Sequence, residues 1–275
     1  MRPEHVYAVY YSAVGGTKKV CQTIGQALAE RFEAPFTEIS FTLPKEREQT
    51  YTFGPGDLVV FGTPTYAGRI PNKMLPFVQT LFQGNDALAI PVATFGNRSY
   101  QDALSELRTE LEQHGFHTVA GAGVVCRHVF APDELAPGRP DEKDLQDLRA
   151  FAGRAADKIL ALTAFPEPVK VGGNDPVGPY YTPLGIDGKP AKFLKAKPKV
   201  NEELCDNCGI CAAVCPLGSI SAEDVKVVDG VCIKCQACVR KCPKGARYFD
   251  DPALASHIEM LKENYSRRAE SEFFL

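Results

Sequence analysis

Eight of the ten cysteines fall between positions 205 and 242, in two runs of one spacing. Cys205, Cys208, Cys211 and Cys215 read C-x2-C-x2-C-x3-C and lead into Pro216. Cys232, Cys235, Cys238 and Cys242 repeat the pattern 27 residues later and lead into Pro243, with Gly218 and Gly245 at equivalent places. A structural zinc site brings paired C-x2-C elements to one ion, and a disulfide framework requires an oxidising compartment. Neither accounts for a third cysteine at the same spacing followed by a fourth before proline. An iron-sulfur cubane does, because each of its four irons takes one thiolate. A tight loop can wrap three corners, so the fourth ligand comes from elsewhere. The proline turns the chain there and has no N–H with which to extend a helix.

The two runs resemble those of bacterial-type two-cluster ferredoxins, in which the fourth cysteine of each run serves the other cluster. The resemblance implies Cys205, Cys208, Cys211 and Cys242 as ligands of one 4Fe-4S cluster, here cluster I. It implies Cys232, Cys235, Cys238 and Cys215 as ligands of the other, cluster II. The segment 200–250 is too short for a large core, so bound clusters must supply much of its cohesion. Cys21 and Cys126 lie far from both runs and read as buried structural thiols.

The chain has 275 residues, room for one medium and one small domain, and a net charge of −3, which suggests no nucleic-acid partner. Its start lacks the basic flank and apolar core of a signal peptide, and no stretch approaches the length of a membrane span. A cytoplasmic setting is expected, since a reducing interior suits oxygen-sensitive clusters.

Upstream, apolar runs alternate with helical periodicities. Val6 to Tyr10 reads as a strand that breaks into Ser12-Ala13-Val14-Gly15-Gly16-Thr17, with a helix carrying Val20, Ile24 and Leu28 on one face. A Gly-rich turn opening a helix can cradle a phosphate with backbone N–H groups. Further strands are expected at 36–40, 57–62, 87–94 and 116–125, and helices from Pro71 to about Phe82, up to His114, and from Asp141 to Leu162. Five strands alternating with helices imply an α/β doubly wound parallel sheet, whose ligands sit at the carboxyl ends of the strands. The loops there carry Thr63-Pro64-Thr65-Tyr66-Ala67-Gly68-Arg69 and Phe95-Gly96-Asn97-Arg98-Ser99-Tyr100.

Residues 5–162 resemble a flavodoxin. Ser12 to Thr17 match its FMN phosphate loop, and Thr63 to Gly68 and Phe95 to Tyr100 match the two loops that hold the isoalloxazine ring. Val14 and Gly16 stand where a typical phosphate loop has Thr and Asn. With no Trp in the chain, Tyr66 and Tyr100 are the stacking candidates, and Arg69 and Arg98 bring positive charge to the ring loops. With the cysteine runs added, the whole chain resembles the flavodoxin-ferredoxin fusion proteins of anaerobic bacteria and archaea, the EFR1-type family. The implied organisation is a five-stranded flavodoxin-like domain over 1–162, a Pro/Gly-rich linker over 163–199, a small α+β two-cluster ferredoxin domain over 200–250 and a C-terminal helix over 251–275. The linker, with Pro166, Pro168, Pro176, Pro179, Pro183, Pro190 and Pro198, is expected to pack along both domains. The tail from Pro252 is expected to be helical to about Arg268.

Gly121-Ala122-Gly123 lies late in a strand and lacks a third glycine, so no dinucleotide site is expected. The histidines form no cluster with an acid or a nucleophile, and no catalytic residue is assigned. The expected function is electron transfer between two 4Fe-4S clusters and an FMN, linking one-electron carriers to a two-electron flavin in anaerobic metabolism. The expected partners are redox proteins of ferredoxin, flavodoxin or oxidoreductase type. Two alternatives stand beside it: a flavin enzyme reducing a quinone-like acceptor with electrons fed through the clusters, and a redox-sensing module.

Overall fold

The computed structural model describes residues 1–275. In chain order the sheet region runs β1 (His5–Tyr10), α1 (Gly16–Phe32), β2 (Phe36–Ser40), β3 (Tyr51–Thr52), β4 (Asp57–Pro64), α2 (Leu75–Leu81), β5 (Phe82–Gln83), β6 (Ala87–Phe95), α3 (Ala103–Gln113), β7 (Phe116–Thr118), β8 (Gly121–Val125) and α4 (Glu142–Ala161). Beyond it come β9 (Lys199–Val200), α5 (Ile210–Ala213), α6 (Ala237–Arg240), β10 (Arg247–Tyr248), α7 (Pro252–Tyr265) and β11 (Glu272–Phe274).

The main sheet is ordered β2-β1-β4-β6-β8-β11, and every pairing except the last is parallel. The first five of these strands give the flavodoxin-like doubly wound order, with its switch point beside β1. β6 is buried at all nine positions, as a central strand covered on both faces must be. One apolar layer lies under α1 and α4 and holds Ile24, Leu28, Leu148, Phe151 and Ile159. The other lies under α2 and α3 and holds Phe41, Phe61, Met74, Leu107 and Phe116. α4 starts where Asp141 accepts from the Asp144 N–H and Asp144 accepts from the Asp141 N–H, a reciprocal cap.

Four elements differ from the sequence reading. The fifth strand is broken at residues 119–120, so β7 and β8 both pair with β6 but at separate registers. The helix after Pro71 begins only at Leu75, because Met74 and Leu75 first bond back to the Pro71 carbonyl in a turn. The short pair β3 and β5 forms a separate two-stranded sheet. The tail is not helical to Arg268: α7 ends at Tyr265, and β11 joins the main sheet antiparallel to β8. Alternation explains that strand. Phe273 stacks on Phe151 of α4 at 5.0 Å, while Phe274 packs with Tyr100 and Val171 on the opposite face.

Residues 163–199 run along the sheet region and then along the cysteine-bearing segment. The Val169 N–H donates to the Thr118 carbonyl, Asp102 accepts from the N–H groups of Asn174 and Gly178, and the Tyr180 hydroxyl donates to the Ile70 carbonyl. Further on, Phe193 and Ala196 are buried against Leu254 of α7, and the Lys197 ammonium donates to the Val228 carbonyl.

The 27-residue repeat in the sequence is a repeat in backbone conformation. Asn207 and Lys234 have φ of 57° and 56°, Gly209 and Gln236 have 76° and 63°, and Gly218 and Gly245 both have 61°. These left-handed residues fold each run back on itself, and α5 and α6 occupy matching places. β9 and β10 pair antiparallel and close the segment.

Candidate functional site

The structure brings the cysteines together in the crossed sets. One cavity is lined by Cys205, Cys208, Cys211 and Cys242, with Val225 and Arg247. A second is lined by Cys232, Cys235, Cys238 and Cys215, with Ile220, Ile233 and Phe249. Each cavity is edged by four cysteines, a donor set that fits a cubane with one thiolate per corner. The two crossing cysteines accept matching hydrogen bonds. Cys215 accepts from the Ser219 N–H and Cys242 from the Ala246 N–H, both at 3.3 Å. Burial acts to raise the Cys242 pKa, but the N–H groups of residues 244–247 outweigh it and bring the thiol below its ordinary range. Burial pushes Cys235 and Cys238 up to about 12. A bound metal centre would favour their thiolate forms.

At the carboxyl edge of the sheet, the turn between β1 and α1 presents free donors. None of the backbone N–H groups from Ala13 to Thr17 finds an acceptor in the chain, and Gly15, with φ of 95°, makes the turn possible. They open a 17-residue helix, whose dipole adds to the attraction for an anion. Of the flanking hydroxyls, Thr17 shares a hydrogen bond with Thr94 at 2.8 Å, while Ser12 accepts from the Lys18 N–H and keeps its own proton free to donate. A phosphate bound here would be held by backbone N–H groups and the Ser12 hydroxyl, with Val14 and Gly16 standing in place of Thr and Asn.

The two ring loops are unequal. Thr63 is fully buried, and the Thr63 and Thr65 hydroxyls have no hydrogen-bond partner. The N–H groups of Ala67, Gly68, Gly96 and Asn97 also donate to nothing in the chain. Such donors fit the acceptor-rich edge of an isoalloxazine. Tyr66 packs on the apolar layer that contains Tyr11. Burial, Tyr11 and the thiol of Cys235 together hold its hydroxyl well above the ordinary phenol range.

The other sequence-predicted ring residues are occupied. The Tyr100 ring is buried over Gly123, and its hydroxyl donates to Glu272 in β11. The Asn97 amide donates to the carbonyls of Tyr265 and Arg267. Arg69 pairs with Glu106, donates to the Gly178 carbonyl and lies 4.9 Å from the Tyr180 ring. Arg98 stacks 3.8 Å over the Tyr181 ring and donates to Gln101. Tyr100 and Arg69 thus brace the tail and the linker, which leaves Tyr66 as the stacking candidate. Cys21 and Cys126 are buried as expected, and burial pushes Cys126 up to about 12.

Sequence reasoning passed over three residues. Tyr11 lies beside Tyr66 under the edge. Arg47 donates to the carbonyls of Phe41, Thr42 and Pro216, tying the sheet region to the first cysteine run. Arg247 lines the first cysteine cavity. Only Arg247 left a signal, a charge at a position where the other repeat has Ile220.

The family described as "4Fe-4S binding domain" matches residues 198–221, which contain the first cysteine run. No curated protein matches the chain. Among solved structures, an archaeal flavodoxin is 17% identical over 57% of this chain and 99% of its own, with a TM-score of 0.41. Flavodoxin 2 from Bacillus cereus is 19% identical over 56% of this chain and 99% of its own, at 0.39. Rubredoxin oxygen:oxidoreductase from Desulfovibrio gigas is 18% identical over 58% of this chain and 38% of its own, at 0.39. The chain joins a flavodoxin-like α/β sheet to a segment of the 4Fe-4S binding type.

Proposed function

We propose that this chain is an electron-transfer protein that relays electrons between two 4Fe-4S clusters and an FMN, and that cluster II is the one that exchanges with the flavin. The supporting observation is the burial of Cys235 and Ala237 in the same apolar layer as Tyr11 and Ala13, with Tyr66, Val214, Leu217 and Ile233 against it. Two elements of different origin share one core there. A short gap between centres requires that arrangement.

A cubane supplies a one-electron couple and FMN a one- or two-electron couple. The chain supplies position. The N–H groups from Ala13 to Thr17 would hold the phosphate, and those of Ala67, Gly68, Gly96 and Asn97 would meet the polar edge of the ring beside Tyr66. Arg47, bonded to Pro216 at 2.6 Å, fixes the first cysteine run against the sheet region. Electron transfer itself makes and breaks no bond, and any proton taken up at the flavin would come from water, so no acid or base residue is assigned.

A carrier is favoured over an enzyme for a small acceptor by the course of the linker. Residues 178–181 lie across both ring loops, with the Tyr181 N–H on the Ala67 carbonyl and its ring on Arg98. That cover restricts access for a substrate but not for an electron. Partners of ferredoxin, flavodoxin or oxidoreductase type would then meet the more exposed cluster I, where Cys208 is at the surface. Anaerobic reductive titration followed by visible and EPR spectra tests the reading. It should give two cluster signals and one flavin, and a preparation with one cluster or no flavin would end it.

A further inference from the structure

Arg247 breaks the symmetry of the repeat. The residue 27 positions earlier is Ile220, and both are buried, at 3% and 6% exposure. The Arg247 guanidinium donates to the Cys211 sulfur at 3.2 Å and to the Val225 carbonyl, while its Nη1 is buried with no partner in the chain. It pairs with no carboxylate. A buried, unpaired cation is costly unless an anion faces it. The anion that the surroundings allow is a thiolate-ligated cluster, because Arg247 lines the cavity of Cys205, Cys208, Cys211 and Cys242. Ile220 lines the other cavity, which Arg247 does not reach.

We propose that Arg247 makes the two clusters inequivalent, raising the reduction potential of cluster I above that of cluster II, so that the first electron to settle in the pair rests at cluster I. The inference depends on the two-cluster reading above. A thiolate-ligated cubane is already a net anion and gains one negative charge, with no proton, on reduction. A fixed cation bonded to one of its sulfurs therefore stabilises the reduced form more than the oxidised form.

Other charges nearby do not reproduce this effect. Arg247 also acts on Cys238, but only through space, and it is not among the residues lining that cavity. Lys234 and Lys197 act on Cys232 through space, but neither ammonium donates to a cluster II sulfur: Lys234 donates to the carbonyls of Leu194 and Cys232, and Lys197 to that of Val228. Lys244 and Asp206, beside cluster I, are half-exposed and offset one another at 3.8 Å. With cluster II left oxidised, the inner position stays free to accept the next electron from the flavin side.

The test is potentiometric titration with EPR on the anaerobically purified full chain, comparing wild type with Arg247→Gln and Arg247→Lys. In wild type the electron should favour cluster I at least tenfold, about 59 mV for a one-electron couple. The Gln variant should shift cluster I to lower potential and narrow the gap. The Lys variant should keep it. An unchanged gap in Arg247→Gln with full iron content overturns the proposal. Should the Gln variant lose iron, the Lys variant decides: a wild-type gap supports the proposal and a collapsed gap overturns it. A wild-type chain with a single cluster would instead refute the two-cluster reading.

Discussion

Tyr100 donates its hydroxyl to the carboxylate of Glu272, 172 residues further along the chain, at 2.5 Å. The bond joins the loop after β6 to the edge strand β11. Replacing Tyr100 by Phe should cost about 1.5 kcal/mol of unfolding free energy, the low end for a hydrogen bond to a charged group because Glu272 stays in reach of water. Flavin binding should be little changed, because the ring faces the tail. Chemical denaturation and FMN titration of the same variant check both halves.

The crossed ligand sets predict a pattern in paired cysteine variants. Cys205→Ser and Cys242→Ser should each remove the same cluster, so the double variant should lose no more iron than either single one. Cys205→Ser combined with Cys215→Ser should lose both clusters. Iron analysis and EPR distinguish this from ligation within each run, where Cys205 and Cys215 would share a cluster.

A carboxylate placed in the anion cradle should act in opposite directions on binding and stability. Gly16 has room for a side chain, its nearest neighbour to an added Cβ being Cys126 at 3.5 Å. Gly16→Asp should weaken FMN binding tenfold or more through repulsion of the phosphate, about 1.4 kcal/mol. The apo chain should hold or gain stability, because an acid at a helix N-terminus is favourable. Calorimetry for FMN and thermal unfolding without it read the two signs.

Burial lowers the pKa of His128 to about 4 and also lowers that of His257. Each binds its proton more readily in the unfolded chain, so their contribution to stability is complete above about pH 6.5 and is lost as the pH falls toward 4. The double variant His128→Gln, His257→Gln should show a flatter loss of stability between those values. A slope equal to wild type would mean that neither histidine titrates differently on folding.

What the sequence revealed depended on how far apart the cooperating residues lie. The cysteine runs were legible because spacing is the chemistry, and β1, β4 and β6 because buried parallel strands read as unbroken apolar runs. The turn between β1 and α1 was legible because its glycines precede a helical periodicity. The side-chain partners of Asn97, Arg98 and Tyr100 were not legible, because Tyr265, Tyr181 and Glu272 are remote in the chain and no local pattern points to them. β11 escaped because three residues carry no periodicity, and its place is fixed by Phe273 stacking on Phe151.

The return of β11 to the main sheet has a mechanical consequence. The chain leaves the sheet region through the linker, builds the cysteine-bearing segment, and comes back to hydrogen-bond beside β8. That segment is an insertion anchored at both ends, not a pendant on a tether. Any swing of that segment as a body would have to break the pairing of β11 with β8.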